Sequence, residues 1–112
     1  MIKVHAWIDD DGLLLDFEAS GHAGTGPRGF DIVCAAFTVL ARTAYSALAG
    51  LPGAMVEGRA ARPGSLDFHV KSMPGEVRER ALGMSVYLFE GLSALAREFP
   101  EAVEIRAEQR RE

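Results

Sequence analysis

The chain has 112 residues, of which 48% are hydrophobic and 25% are charged. This length fits a single domain spanning residues 1–112, and the composition is typical of a folded globular protein. The formal net charge of −4 disfavours a general nucleic-acid-binding protein, which is normally strongly basic. We therefore expect no direct contact with nucleic acid.

The single cysteine, Cys34, indicates a reducing compartment. One thiol cannot form a disulfide within the chain, and free thiols are typical of cytoplasmic proteins. The N-terminal segment reaches Asp9 and Asp10 without the apolar core of a signal peptide. No uninterrupted run of about 18 apolar residues predicts a membrane span. The sequence thus predicts a cytoplasmic protein that does not bind a membrane.

The first half of the chain predicts a β-hairpin, a loop and a buried helix. Residues 2–8 and 13–19 alternate apolar and polar side chains on either side of an Asp-Asp-Gly turn signal. Residues 20–29 contain four glycines and a proline and predict a loop. Helical periodicity then begins at Asp31 and ends before Gly50, a residue type that commonly terminates helices.

The second half predicts two more strands, a second helix and a last strand. Residues 55–60 and 66–71 read as strands, and a helix with an apolar stripe begins near Pro74. Residues 103–107 alternate again as a strand. The order β-β-α-β-β-α-β predicts an α+β fold with two layers. It consists of a mostly antiparallel sheet of about five strands, with two helices packed on one face.

Two side chains that could carry chemistry flank the glycine-rich loop. If Asp31 is the N-cap, Cys34 is the third helical residue, where free N–H groups and the positive end of the helix dipole favour a thiolate. His22 could act as its base, and could protonate a leaving amine, if the loop folds back over the helix. The same N–H groups could stabilise an oxyanion.

Each of these residues also has an ordinary structural interpretation. From the residues alone, Cys34 is more often a buried apolar side chain, and His22 is more often a solvated loop residue. Asp31 would act as a helix cap whatever else it does. Thr38, one turn beyond Cys34, would ordinarily bond its own helix backbone. Spacing and periodicity alone therefore leave catalysis as the minority hypothesis.

A metal site is a further alternative that the sequence supports weakly. Its candidate ligands would be His5, His22, His69 and Cys34. The histidines on predicted strands lack the spacing of metal ligands, and one thiol with scattered imidazoles is a weak signal. We therefore expect no metal and no other cofactor.

Two motifs together resemble the signature of the ribosomal-processing cysteine protease family of bacteria. The first is Gly21-His22-Ala23-Gly24. The second, after a short loop, is Gly-Phe-Asp-Ile-Val-Cys-Ala-Ala at residues 29–36. Their order and separation match the family, as do the chain length and the order of elements. A three-residue match would be weak, whereas the joint occurrence of both motifs is specific.

The resemblance implies roles for individual residues. Cys34 would be the nucleophile and His22 its general base. Asp31 matches an acidic position before the cysteine, and Thr38 stands where the family usually carries serine; both are expected to support the site. The loop would bind the substrate as a lid. Its residues are Gly21, Ala23, Gly24, Thr25, Gly26, Pro27, Arg28 and Gly29.

The resemblance also implies a substrate and an assembly. Members remove an N-terminal extension from a large-subunit ribosomal protein (the L twenty-seven protein), and they recognise hydrophobic and aromatic residues just before the cut. They form homodimers. Residues 25–28 depart from typical members, which leaves the cleavage motif open. The alternative is a non-catalytic, ribosome-associated binding module on the same fold.

Overall fold

The computed structural model describes residues 1–21, 29–59 and 65–110 of the chain. Its elements follow the predicted order. They are β1 (Ile2–Ile8), β2 (Leu14–Ser20), α1 (Gly29–Ala49), β3 (Met55–Arg59), β4 (Leu66–Ser72), α2 (Arg78–Glu98) and β5 (Val103–Gln109). A single 3₁₀ turn, Gly75–Val77, leads into α2, so the helical segment begins just after Pro74.

The strands form one sheet with the order β3-β4-β2-β1-β5. Neighbouring strands are antiparallel except β1 and β5, which run parallel. The hairpin between β1 and β2 turns at Gly12, whose φ of 96° is a conformation that glycine adopts without strain. The mostly antiparallel, five-stranded sheet predicted from the sequence is therefore confirmed for the part of the chain that the structure describes.

Both helices cover the same face of the sheet. Alternate side chains of the strands, among them Val4, Phe17 and Phe68, are buried against apolar residues of α1 and α2 in one hydrophobic core. Ser85 of α2 is fully buried and accepts a hydrogen bond from the Leu14 N–H at 3.0 Å, while its hydroxyl donates to a carbonyl of its own helix. The predicted two-layer α+β architecture is confirmed.

The other face of the sheet carries polar side chains in paired contacts. His5 on β1 contacts Glu108 on β5, and Asp16 on β2 contacts both His69 on β4 and Arg110. Burial alone would raise the pKa of Asp16, but the hydrogen bonds from His69 and Arg110 outweigh this effect and lower it. The charged side chains on this solvated face of the sheet are therefore paired with one another.

Helix α1 is more apolar than its burial requires. Its segment Ile32–Ala49 is long and apolar enough, by length and composition alone, to cross a membrane, although only 22% of that window is buried in the domain. The core helix of a soluble protein passes the same test, so this finding is weak evidence for a membrane span. Ile32 and Val39 expose 68% and 65% of their surface, which shows that α1 has a second apolar face outside the core.

Candidate active site

Cys34 lies on α1 at the edge where the helix faces the ends of β2 and β4. Its side chain is half-buried. It lines a small cavity of about 50 Å³, together with Gly21 after β2 and Leu66 at the start of β4. Ile2 and Phe37 form the apolar wall of the same cavity. The thiol is therefore neither sealed in the core nor fully exposed.

The predicted N-cap at Asp31 is wrong. Helix α1 already begins at Gly29, so Asp31 is its third residue and Cys34 its sixth. Gly29 was assigned to the loop, but it is the first residue of this helix. The free N–H groups of a helix lie in its first turn, and the dipole effect falls off within that turn. Cys34 is therefore one turn further from the helix end than the sequence argument assumed.

Thr38 lines the same cavity, one helical turn from Cys34. Its hydroxyl donates a hydrogen bond of 2.7 Å to the carbonyl oxygen of Cys34. This is the backbone bond that threonine ordinarily makes within a helix. The donor of the hydroxyl is thus already used, and only its acceptor capacity remains for another group.

Gly21 is held beside the N-terminus of the chain. Its φ is 94°, and a Cβ atom at this position would overlap the carbonyl oxygen of Met1. Both observations require glycine, because other residues avoid this φ and would collide with the Met1 backbone. The end of β2, from which residue 22 continues, is therefore fixed at the cavity that contains Cys34.

His22 and the loop residues Ala23, Gly24, Thr25, Gly26, Pro27 and Arg28 lie outside the described residues. Their assignments as general base and substrate loop remain predictions. Of the nine positions assigned to the base and the loop, the structure describes Gly21 and Gly29 at the two ends.

The alternative metal site gains no support from the described candidates. His5 and His69 extend from the outer face of the sheet, where each contacts a carboxylate, while Cys34 lies on the helical layer. Among the described residues, no three His, Cys, Asp or Glu side chains are grouped closely enough to hold a metal ion.

Two residues near Cys34 were missed by the sequence argument. Arg42 follows Cys34 by eight positions on α1 and lines the same cavity, as does Ser65 just before β4. The signal for Arg42 was present, since a charged residue interrupts an otherwise apolar helix two turns after the cysteine. Ser65 carried no comparable signal, because its position depends on the pairing of β4 with β2.

The chain is similar to known proteins over almost its whole length. The family described as "Cysteine protease Prp" matches residues 1–104. No curated protein matches the chain. Among solved structures, SMU.848 from Streptococcus mutans is 28% identical with a TM-score of 0.81, covering 98% of this chain and 96% of that one.

Two structures of a protein from S. aureus, described as an essential ribosomal processing protease Prp, share the fold. The complex with a covalently linked product peptide has 22% identity and a TM-score of 0.77. The complex with a substrate peptide has 21% identity and a TM-score of 0.79. Both alignments cover 96% of this chain and 99% of the other.

The family match to residues 1–104 is consistent with the fold and with the partly exposed cysteine. The matching family is one of proteases, which favours a peptidase over the alternative of a non-catalytic, ribosome-associated binding module on the same fold. The chain therefore belongs to the cysteine protease Prp family and is a cysteine peptidase.

Proposed function

We propose that Cys34 is the nucleophile of this peptidase and that His22 is its general base. The observation that carries the proposal is the cavity that Cys34 shares with Gly21, the residue directly before His22. Consecutive Cα atoms are about 3.8 Å apart, so the proposal requires only that the side chain of the residue after Gly21 turn toward this cavity. Cys34 is also the only cysteine of a chain that belongs to a cysteine protease family.

In this mechanism the Cys34 thiolate attacks the carbonyl carbon of the scissile peptide bond. The carbon–nitrogen bond breaks as the His22 imidazolium donates a proton to the leaving amine, and the N-terminal part of the substrate remains as a thioester on Cys34. Water then gives a proton to His22 and attacks the thioester. The carboxylic acid product leaves, and the starting pair of Cys34 thiolate and His22 imidazolium is restored.

Asp31 and Thr38 would support this site on different grounds. Thr38 is exposed and lines the cavity of Cys34, and its hydroxyl keeps its acceptor capacity. For Asp31 the support is its position before the Ile-Val-Cys run, since the helix begins two residues earlier. The loop from Gly21 to Gly29 would close over the bound peptide, which its four glycines favour.

For the substrate, we propose the N-terminal extension of a large-subunit ribosomal protein, the L twenty-seven protein. The resemblance of both sequence motifs to the ribosomal-processing family supports this assignment. So does the shared fold with the S. aureus protein that is described as a ribosomal processing protease bound to a substrate peptide. Ile2, Phe37 and Leu66 around Cys34 would favour an apolar residue beside the cut.

The test is cleavage of a peptide that spans the extension of the host's ribosomal protein, compared with a generic peptide that carries aromatic residues before the cut. We expect the extension peptide to be cut once. Cys34→Ala should abolish cleavage, and His22→Ala should lower kcat by about a hundredfold or more. His69→Ala, on the outer face of the sheet, is the control for loss of a histidine.

The outcomes separate the parts of the proposal. Cleavage that survives Cys34→Ala would refute the nucleophile, and a kcat that His22→Ala leaves unchanged would refute the base. If only the generic peptide is cut, the dyad stands and the ribosomal substrate is wrong.

We also propose that the protein is a cytoplasmic homodimer that binds neither membranes nor nucleic acid. Helices α1 and α2 leave an apolar groove of about 620 Å³ between them, lined by Val39, Met84 and Tyr87 among others. Tyr87 exposes 78% of its surface there, more than an isolated domain favours. A second copy of the chain would cover this groove, and the lone thiol and the net charge of −4 support the other assignments.

A further inference from the structure

The cavity of Cys34 continues along α1 toward the edge strand β3. Arg42 and Leu66 line both the cavity of Cys34 and a second, larger one of about 230 Å³. The second cavity is completed by Ser46 and Tyr45 of α1 and by Arg59 at the end of β3. We call these two neighbouring cavities, which share Arg42 and Leu66, the arginine groove.

The arginine groove is positively charged on an acidic protein. Arg42 and Arg59 line it, and among the described residues no Asp or Glu lines either of its two cavities. Arg59 also lines an adjoining cavity with Glu57 and Asp67, and it lies opposite Asp67 in the pairing of β3 and β4. Among the ion pairs that the described residues form, none includes Arg42 or Arg59. Arg78 and Arg110, in contrast, are both bound to aspartates. The chain as a whole carries a net charge of −4. The guanidinium group of Arg42, which lines the cavity of Cys34, therefore gives a local positive potential beside the thiol.

The spacing between the thiol and the arginines corresponds to a few residues of bound peptide. Arg42 follows Cys34 by eight residues on one helix, which is about 12 Å at a rise of ~1.5 Å per residue. An extended peptide advances about 3.3 Å per residue. A peptide that follows the groove from Cys34 would thus place its third or fourth residue from the scissile bond at Arg42.

We propose that Arg42 and Arg59 form a specificity subsite for an acidic side chain of the substrate, three or four residues from the cut. Guanidinium groups bind carboxylates through charge-assisted, often bidentate hydrogen bonds, and the alcohol groups of Ser46 and Tyr45 in the same cavity add further donors. This inference rests on the proposed function, because it takes Cys34 as the attacking group.

The test compares peptides that share one cleavable sequence and carry Glu, Gln or Lys at the third and fourth positions on either side of the cut. The quantity to measure is the ratio of kcat/KM for the Glu peptide to that for the Gln peptide. The ratio cancels any change in the amount of active enzyme. In the unaltered protein we expect a ratio of about ten at one of these positions, as one charge-assisted contact provides.

Substitutions test whether the arginine groove causes this preference. In the double variant Arg42→Gln/Arg59→Gln the ratio should fall to about one, and Arg42→Glu should reverse the preference toward the Lys peptide. Arg97→Gln is the matched control, since Arg97 is an exposed arginine near the end of α2, outside the groove. Its ratio should equal that of the unaltered protein. Added salt should reduce the preference, because the groove is open to solvent.

Two results would overturn the subsite. One is equal cleavage of the Glu, Gln and Lys peptides by the unaltered protein, and the other is a preference that Arg97→Gln lowers as much as the double variant does. If the protein cuts none of the peptides, the proposed function fails. The subsite is then judged by the affinity of the Cys34→Ala variant for the Glu and Gln peptides, which must differ for it to stand.

Discussion

The hydroxyl of Thr38 donates a hydrogen bond of 2.7 Å to the carbonyl oxygen of Cys34, one turn earlier on α1. Thr38 is exposed and is one of the residues that line the cavity of the thiol. With its proton committed to the Cys34 carbonyl, the oxygen can only accept a further hydrogen bond. This bond orients the hydroxyl without any contribution from a substrate.

The first prediction concerns this hydroxyl. Thr38→Val keeps the shape of the side chain and removes the oxygen, and we expect it to lower kcat/KM by about tenfold, the loss of one hydrogen bond in a partly desolvated site. Thr38→Ser retains the oxygen and should remain within about twofold. The measurement is steady-state peptide cleavage by the two variants. Equal activity of Thr38→Val and the unaltered protein would show that the hydroxyl serves only its helix.

The second prediction concerns the reactivity of the thiol. We expect iodoacetamide to modify Cys34 near neutral pH at least about tenfold faster than an ordinary exposed thiol, because a catalytic cysteine is held as a thiolate. Mass spectrometry of the time course gives the rate. The comparison thiol is provided by Cys34→Ala/Ala94→Cys, at an exposed position of α2. His22→Ala should slow modification of Cys34, and a rate that it leaves unchanged would argue against the proposed pair.

Much of the fold could be predicted because the hydrophobic periodicity of each element is strong. Strands with one buried face alternate every second residue, and α2 carries an apolar stripe, so element type and order follow from local sequence. The predicted first and last residues of the elements were less accurate. Three consecutive leucines, Leu13 to Leu15, are all buried, because the pairing of β1 and β2 shifts register between Trp7 and Ile8. Such a bulge depends on the partner strand and is invisible in one strand alone.

The candidate site was only partly predictable for a similar reason. Cys34 and His22 stand out by residue type and by motif, whereas Arg42 and Arg59 come together only once β3 packs beside α1. The start of α1 was misjudged because Asp31 is a common capping residue, yet the helix extends two residues further to Gly29. Contacts between distant segments determine the surroundings of Cys34, and local patterns do not encode them.

The third prediction concerns Gly21. Gly21→Ala would place a methyl group against the Met1 carbonyl oxygen and force alanine into a left-handed conformation with φ near 94°. We expect a loss of about 1–3 kcal/mol in the free energy of unfolding, measured by urea denaturation. Gly75→Ala is the control, since a Cβ there meets no atom within 4 Å. Equal stability of both variants would mean that the end of β2 can move freely away from the N-terminus.

The fourth prediction concerns the apolar groove between α1 and α2. If a second copy covers it, sedimentation should give a mass of about 24 kDa, twice the 12.1 kDa of the chain. Val39→Lys/Tyr87→Lys should convert the protein to the monomer, because two buried charges would face each other across the symmetric interface. Met55→Lys tests a similarly exposed apolar residue on β3 and should leave the dimer intact. A monomer before any substitution would refute the dimer.

The last prediction concerns the buried carboxylate of Asp9. It accepts hydrogen bonds from the N–H groups of Asp11 and Leu13, both at 2.9 Å, and from Arg78 at 2.6 Å. Burial alone would raise the pKa of Asp9, but these hydrogen bonds outweigh it, so the pKa lies below the ordinary value of 3.8. The stabilisation is therefore complete above that value and is lost as the pH falls through the lower pKa of the folded state.

Asp9→Asn should then lower the free energy of unfolding by about 1–3 kcal/mol near neutral pH, since Arg78 loses a charged partner in a buried turn. The difference from the unaltered protein should shrink at pH values well below 3.8, as the pH falls through the lowered pKa of Asp9 and its carboxylate becomes protonated. Urea denaturation at both pH values provides the measurement, with Asp10→Asn as the control at an exposed position of the same turn. A difference that stays constant with pH would mean that Asp9 acts through its shape and its neutral hydrogen bonds rather than through its charge.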